Sequence, residues 1–176
     1  SNKLLVYFDT GILPPTGAAI FKLSLNEEIV DSRYSLRPPK ETSMSNGVLK
    51  VEHTDHSPIS FRVLNLFDNS EIDFVQRWGY YTSFDSKHHK LKGQNSGAYI
   101  FRPSKPNEEL HIIKATNVSK TKISDLVEEM SVEYEVPWIE QYIRLYKGKS
   151  YIEIEYKVGP IPIDDGIGKE VVTQYI

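Results

Sequence analysis

Alternation of apolar and charged residues is the feature that most constrains the fold of this chain. Between 150 and 158, apolar residues stand at 152, 154, 156 and 158, and charged residues stand at 153, 155 and 157. The same alternation recurs at 132–136 and 47–53. Successive side chains of a strand point to opposite faces of a sheet, so this pattern predicts strands with one buried and one solvated face.

Turn residues separate these runs. Pro-, Gly- and Asn-containing turn signals occur at 13–17, 38–39, 68–70 and 159–162, and apolar β-rich runs occur at 4–8 and 59–66. Several short strands divided by such signals predict an all-β fold, an antiparallel β-sandwich. We expect residues 1–176 to form one sandwich domain or part of a larger β region.

One segment has the period of a helix. Ile123, Leu126, Val127 and Met130 stand at i, i+3, i+4 and i+7. The segment runs directly into the alternating residues 132–136, and a lone helix would be unusual in this context. We therefore favour a strand or irregular structure over a short helix.

Composition excludes several functional classes. The 176 residues carry a net charge of −3 and contain no cysteine. A nucleic-acid or anionic-membrane partner would require a basic face, and thiolate chemistry would require cysteine. No apolar run approaches the roughly 18 residues of a membrane-spanning helix. We expect neither a nucleic-acid nor a membrane partner.

Two histidine clusters are candidate metal ligands. His53 and His56 flank Asp55, and imidazole and carboxylate groups can bind zinc. His88 and His89 lie between lysines, which would repel a cation. Neither cluster has a spacing that is specific for a metal site, so we expect no metal ligand in this chain.

Two carboxylate pairs resemble glycosidase catalytic groups only in composition. Such groups face each other across roughly 5 to 9.5 Å of a cleft. Glu153 and Glu155 instead share the polar face of one predicted strand, and Asp164 and Asp165 precede a glycine in a predicted turn. We predict solvated and turn roles for both pairs and no catalytic residue. A glycosylation sequon begins at Asn117 and matters only in the secretory pathway.

Three blocks in fixed order resemble glycoside hydrolase family 38, the class-II α-mannosidases. They are Ser-Gly-Ala-Tyr-Ile-Phe-Arg-Pro at 96–103, the residues of 141–146 followed by 153–162, and Gly-Lys-Glu-Val-Val at 168–172. Residues 4–23 and 45–51 are similar to the strands that precede these blocks. The first block is more similar to the lysosomal branch of the family. Ser104 departs from the usual Asn, and residues 82–94 and 110–130 show little similarity.

The resemblance implies a parent enzyme that hydrolyses terminal α-mannose with retention. Its aspartate nucleophile and zinc would lie in an N-terminal catalytic domain, and this chain would match only the start of the C-terminal β region. The chain itself would then be inactive, with no cofactor of its own. Its partners would be that catalytic domain and mannose-containing glycans, in the lysosome or secretory pathway.

Two residues of the first block receive roles from the resemblance. Tyr99 matches a tyrosine that reaches the active-site cleft and contacts substrate. The alternative is that Tyr99 is an inward-facing strand tyrosine. Arg102 would pair with a carboxylate near the cleft or brace the interface, because an arginine stem also covers sheet surface.

Two other functions stay open on sequence alone. A free-standing carbohydrate-binding module could use Trp78, Tyr80 and Tyr81 as a sugar-stacking platform, since Trp78 and Tyr80 would share one strand face. A structural interaction domain is the second alternative. A segment of a larger enzyme should expose an apolar patch where its neighbour packs, whereas a fully polar surface would favour an independent domain.

Overall fold

The computed structural model describes residues 8, 10–11, 15–24, 42–56, 58–86, 93–97 and 99–176. These residues form ten strands, and none of them is helical. The strands are β1 (Ser43–Ser45), β2 (Leu49–His56), β3 (Ile59–Asn65), β4 (Glu71–Thr82), β5 (His111–Ile113), β6 (Ala115–Lys122), β7 (Val127–Tyr134), β8 (Ile139–Tyr146), β9 (Glu153–Val158) and β10 (Lys169–Tyr175). The prediction of an all-β chain is confirmed.

The strands form two antiparallel sheets. The first has the order β1-β2-β3-β4-β10, with β5 also paired to β4, and the second is a meander of β6-β7-β8-β9. The long strand β4 joins the parts of the first sheet. Its Gln76 is opposite Ile59 of β3 on one edge and opposite Tyr175 of β10 on the other. All of these pairs are antiparallel, which confirms the predicted sandwich.

The core lies between the two sheets, and its strands alternate between buried and more exposed residues. Along β8, the residues at 139, 141, 143 and 145 are buried, and the residues between them are exposed or half-buried. Phe61 from the first sheet and Met130 from the second are among the largest fully buried side chains. Burial of a side chain of this size stabilises a protein by about 1.5–3 kcal/mol, so the alternating face accounts for the layered architecture.

The segment with helical period forms a turn and a strand. Ile123 N donates to Val127 O at 3.1 Å, and β7 begins at Val127. Met130 lies opposite Lys120 on one side and Ile143 on the other. The preference for a strand over a helix is confirmed. The spacing of Val127 and Met130 reflects two buried positions of one strand rather than a helix face.

Some predictions fall partly or wholly outside the described residues. Of the predicted strand at 4–8, only Phe8 is described, and the predicted turn at 38–39 lies wholly outside the described residues. A turn is present at 15–16, but residues 17–24 form no strand. β9 ends at Val158, before the prolines at 160 and 162, as expected for residues that cannot donate to the ladder. Within the described part of the chain, no helix could cross a membrane.

Candidate functional site

The loop that carries the first family-like block returns to the end of β4. We call residues 93–97 and 99–104 the Tyr99 loop. Ser83 and Pro103 form an antiparallel bridge, and Phe84 N donates to Arg102 O at 2.8 Å. Ser96 N donates to Phe84 O at 3.1 Å. Both sides of the loop are therefore anchored on Phe84, which is buried.

The Ser96 hydroxyl closes the base of the Tyr99 loop. Its Oγ donates to Arg102 O at 2.8 Å and accepts from Arg102 N at 3.0 Å. Beyond this pair of hydrogen bonds, Gly97 N donates to Ile100 O at 2.9 Å. The loop thus has a hydrogen-bonded base and a short tip that includes residues 97, 99 and 100.

Tyr99 lies at this tip and is 100% exposed, and the neighbouring Ile100 is also exposed. The alternative of an inward-facing strand tyrosine is wrong, because residue 99 belongs to no strand and its side chain is not covered. An aromatic side chain offers 150–250 Å² of surface, mostly apolar. A ring of that size, held outward by a braced loop, is suited to contact a second molecule or domain.

Arg102 lies at the base of the loop and is exposed. A Cβ placed on Gly93 would be 3.7 Å from Arg102 Nη1 and 3.3 Å from Phe84 Cε1, so the guanidinium lies close to the Gly93 backbone. Its backbone holds Ser96 while its side chain extends over the loop. The Arg102 backbone therefore closes the base of the loop through Ser96.

A buried carboxylate lies beneath the loop. The Glu108 side chain is 6% exposed. It accepts hydrogen bonds from Thr82 N at 3.2 Å, from the Thr82 hydroxyl, from Ser104 N at 3.1 Å and from His111 Nε2 at 3.1 Å. Burial alone would raise the pKa of Glu108, but these hydrogen bonds outweigh burial and hold its pKa below the ordinary range.

Sequence reasoning missed Glu108. It lies in the Pro- and charge-rich run at 104–109, which predicts an exposed loop, and the adjacent Glu109 is indeed exposed. Local composition does not distinguish the two glutamates. Only the return of the chain to the end of β4 buries one of them, and that is a long-range contact.

Of the candidate metal clusters, the structure describes the side chains of His53 and Asp55. His53 Nε2 lies 2.8 Å from the backbone oxygen of Asp55. The centroid of its ring is 5.6 Å from that of the Phe61 ring. The His56 side chain and the pair His88 and His89 fall outside what the structure describes. Across the described ranges, no group of three or more His, Asp or Glu residues could hold a metal ion.

Glu153 and Glu155 lie side by side on β9 and both contact Arg144. Arg144 also donates through Nε to Glu129 Oε2 at 2.6 Å. Burial would lower the pKa of Arg144, but the three carboxylates outweigh it and raise the pKa above the ordinary value. The glutamates neutralise a nearly buried arginine on the outer face of the second sheet, so they are ion-paired rather than merely solvated.

The aspartate pair lies in the loop between β9 and β10. Asp165 accepts from Ile167 N at 2.9 Å and from Lys169 Nζ at 2.8 Å. This is the turn role that the sequence predicts. The hydrogen bond from Lys169 lowers the pKa of Asp165. The described contacts of Asp165 are those of a turn and not those of one carboxylate facing another across a cleft.

The proposed sugar platform is not available. Trp78 is 3% exposed, and its Nε1 donates to Gln141 Oε1 at 2.9 Å. Tyr80 does share the face of Trp78, but it is half-buried and stacks on His111 with ring centroids 5.0 Å apart. Tyr81 is also half-buried. The alternative that these aromatics form an exposed platform is wrong, because the second sheet covers Trp78.

Two aromatic side chains are exposed on β9 and β10, the edge strands of the two sheets. Tyr156 packs against Trp78 with ring centroids 5.1 Å apart, and Tyr175 packs against Phe74 at 5.3 Å. Both tyrosines point into the sandwich, yet they are 48% and 51% exposed. The surface of the described residues is therefore not fully polar at this edge.

Asn117 of the sequon lies on β6, next to an irregularity in its pairing with β7. Its side chain is exposed, whereas Ser119 is half-buried and its hydroxyl lies 2.7 Å from that of Ser131. Asn117 is accessible to a glycan, although it lies on a strand rather than in a loop.

Known proteins match this chain over most of its described length. The family described as the glycosyl hydrolases family 38 C-terminal domain matches residues 44–175. An α-mannosidase of Canavalia ensiformis is 34% identical over 164 residues, which cover 92% of this chain and 16% of that protein. A lysosomal α-mannosidase of Felis catus is 38% identical over 174 residues, which cover 93% of this chain and 16% of that protein. A probable α-mannosidase of Arabidopsis thaliana is 39% identical over 135 residues, covering 75% and 13% of the two chains. The chain spans about one sixth of the relatives that it matches over most of its length.

Proposed function

Because this chain belongs to glycosyl hydrolase family 38, as part of its C-terminal domain, we propose that it is the non-catalytic β domain of an α-mannosidase. The parent enzyme would remove terminal α-mannose from glycans with retention of configuration. Relatives named α-mannosidase from plants and mammals support this activity. The chain alone is expected to show no turnover of a mannoside.

The exposure of Tyr99 at a braced loop tip carries the proposed role of the domain. In the parent enzyme, Tyr99 would reach the substrate cleft of the catalytic domain. A phenol suits this contact, because its ring packs on the apolar face of a sugar and its hydroxyl can donate or accept a hydrogen bond. Arg102 would support the loop from its base and offer its guanidinium to a carboxylate of the cleft.

Zinc and the nucleophile are assigned to the catalytic domain of the parent enzyme. The described residues of this chain do not fit a zinc site, since they bring no three potential ligands together. The paired glutamates of β9 both form ion pairs with Arg144. No chemical step is therefore attributed to this domain, whose contribution would be binding and support.

The exposed edge at Tyr156 and Tyr175 supports a packed neighbour within the parent enzyme. We propose the catalytic domain as the partner of this chain, and a lysosomal or secretory location by analogy with the relatives named lysosomal. In that location Asn117 would carry a glycan, which mass spectrometry of the peptide would reveal. An unmodified Asn117 in secreted protein would contradict this assignment.

Substitution of Tyr99 in the parent enzyme tests the proposal. We expect Tyr99→Ala to lower kcat/KM for a mannoside by about ten- to a hundredfold, and Tyr99→Phe by a smaller factor because only the hydroxyl is lost. Tyr151→Ala is the matched control, since Tyr151 is a half-exposed tyrosine on another loop. Equal kcat/KM for the Tyr99→Ala and Tyr151→Ala enzymes would contradict the proposed role.

A further inference from the structure

We propose that Glu108 is a positioning residue that holds the Tyr99 loop through Thr82 and Ser104. The inference rests on the proposed function of Tyr99 but extends it to a residue outside the family-like blocks. Glu108 accepts hydrogen bonds from both sides of the loop base. Its role would be to fix the direction in which the loop presents the tyrosine.

The contacts of Glu108 join the end of β4 to the returning end of the loop. Oε1 accepts from Thr82, the last residue of β4, and Oε2 accepts from Ser104 N at 3.1 Å. Ser104 N also donates to Thr82 O at 2.8 Å, and the two hydroxyl oxygens are 2.7 Å apart. One carboxylate therefore ties two chain segments that are 22 residues apart in sequence.

This tie lies directly next to the hydrogen bonds that shape the loop. Thr82 and Ser104 immediately flank the bridge between Ser83 and Pro103. One residue further along, Arg102 O accepts from Phe84 N and from the Ser96 hydroxyl. A displacement at Ser104 would therefore be transmitted to the base of the loop and from there to Tyr99.

The chemistry of the site requires a carboxylate. Its donors are two backbone N–H groups, one hydroxyl and one imidazole nitrogen, and an ionised carboxylate only accepts. Glutamine has nearly the same shape, but it replaces one acceptor oxygen with an amide that donates. That amide would face either the donors of Thr82, which would lose their acceptor, or Ser104 N, which would keep only its hydrogen bond to Thr82 O.

His111 completes the fourth contact and connects the site to the sheet. Its ring stacks on Tyr80 with an interplanar angle of 14°. His111 pairs with Tyr80 of β4 in the sheet register, so the imidazole is held in place by β5. Glu108 is therefore supported on one side by the sheet and holds the loop on the other.

Hydrogen exchange and kinetics on the parent enzyme test the inference. We expect Glu108→Gln to speed amide exchange in 96–104 by about tenfold or more, while β7 and β8 keep their rates. Glu109→Gln is the matched control, because Glu109 is exposed and adjacent. Thr82→Val removes one donor and should act in the same direction by a smaller factor, which keeps the test valid if Glu108→Gln does not fold.

A double-substitution cycle separates positioning from a general structural role. If Glu108 acts through Tyr99, Glu108→Gln lowers kcat/KM in the native background and has little further effect in a Tyr99→Ala background. Additive effects on kcat/KM, or loop exchange equal to that of Glu109→Gln, would overturn the inference. If Tyr99→Ala alone leaves kcat/KM unchanged, the proposed function fails, while the exchange comparison still decides whether Glu108 holds the loop.

Discussion

Side-chain hydrogen bonds occur both in the middle and at the end of strand β4, but they stabilise different parts of the molecule. In the middle, Gln76 and Trp78 bond to Gln141 of the second sheet, and Gln76 also donates to Thr173 of β10 at 3.0 Å. At the end, Thr82 bonds to Glu108 and Ser104. The first network is buried between the sheets, whereas the second supports a loop that carries an exposed tyrosine.

The two regions differ in what their hydrogen bonds support: the middle of β4 stabilises the contact between the sheets, and the end of β4 supports an accessible side chain. Gln76 and Gln141 are 0% and 1% exposed. No buried side-chain nitrogen or oxygen of the described residues lacks a partner. A fully satisfied interior network fixes how the sheets face each other. The Tyr99 loop places comparable bonds beneath a side chain that contributes little to the core. Changes in the middle of β4 should therefore alter stability, and changes at its end should alter function.

The largest expected effect comes from breaking the interior network. Gln141→Leu removes the partner of Trp78 Nε1 and of Gln76, leaving buried polar groups unpaired. We expect a loss of about 3 kcal/mol in the free energy of unfolding, measured by urea denaturation, because each such group costs about 1–3 kcal/mol. The control Gln174→Leu, on the exposed face of β10, should stay within about 0.5 kcal/mol. Similar losses in both variants would remove the distinction between the two regions.

Two glycines offer a second and smaller contrast. A Cβ on Gly79 would lie 2.5 Å from Leu110 Cγ and 2.7 Å from His111 O, whereas a Cβ on Gly97 would meet nothing within 4 Å. We expect Gly79→Ala to lower the free energy of unfolding by about 1–3 kcal/mol through overpacking. Gly97→Ala should change it by less than about 0.5 kcal/mol. Thermal unfolding of both variants checks this order, and a more damaging Gly97→Ala would contradict it.

The smallest expected effect is a dependence of loop order on pH. The pKa of Glu108 is lower in the folded state than its ordinary value, so its contribution is present above the unfolded pKa of about 4.3. It is lost as the pH falls through the folded pKa. We expect exchange protection of 96–104 to be constant between about pH 7 and pH 5, after correction for intrinsic rates, and to fall at lower pH. Glu108→Gln should abolish this dependence, and an unchanged pH profile in that variant would contradict the assignment to Glu108.

The sequence predicts the strands well and the polar contacts poorly. Period-two alternation identifies β2, β9 and the end of β7, because their inward-facing residues are apolar along most of their length. Gln141 breaks that pattern, since its burial depends on partners 63 and 65 residues away in sequence. Long-range pairing of this kind leaves no local signal.

The candidate site likewise has residues that the sequence identifies and features that only the structure shows. Resemblance to a family selects Tyr99 and Arg102 by motif, without any argument from geometry. The exposure of Tyr99 and the burial of Glu108 become visible only when the loop returns to β4. The strand pattern also leaves the exposure of Trp78 open, because it does not tell which face of β4 the second sheet will cover.

The most direct test measures activity and stability of Tyr99→Ala in the same preparation of the parent enzyme. We expect kcat/KM for a mannoside to fall at least tenfold relative to Tyr151→Ala while the midpoint of thermal unfolding stays unchanged, because the lost ring is fully exposed. Lowered thermal stability with native kcat/KM would show instead that Tyr99 supports the fold and not substrate binding.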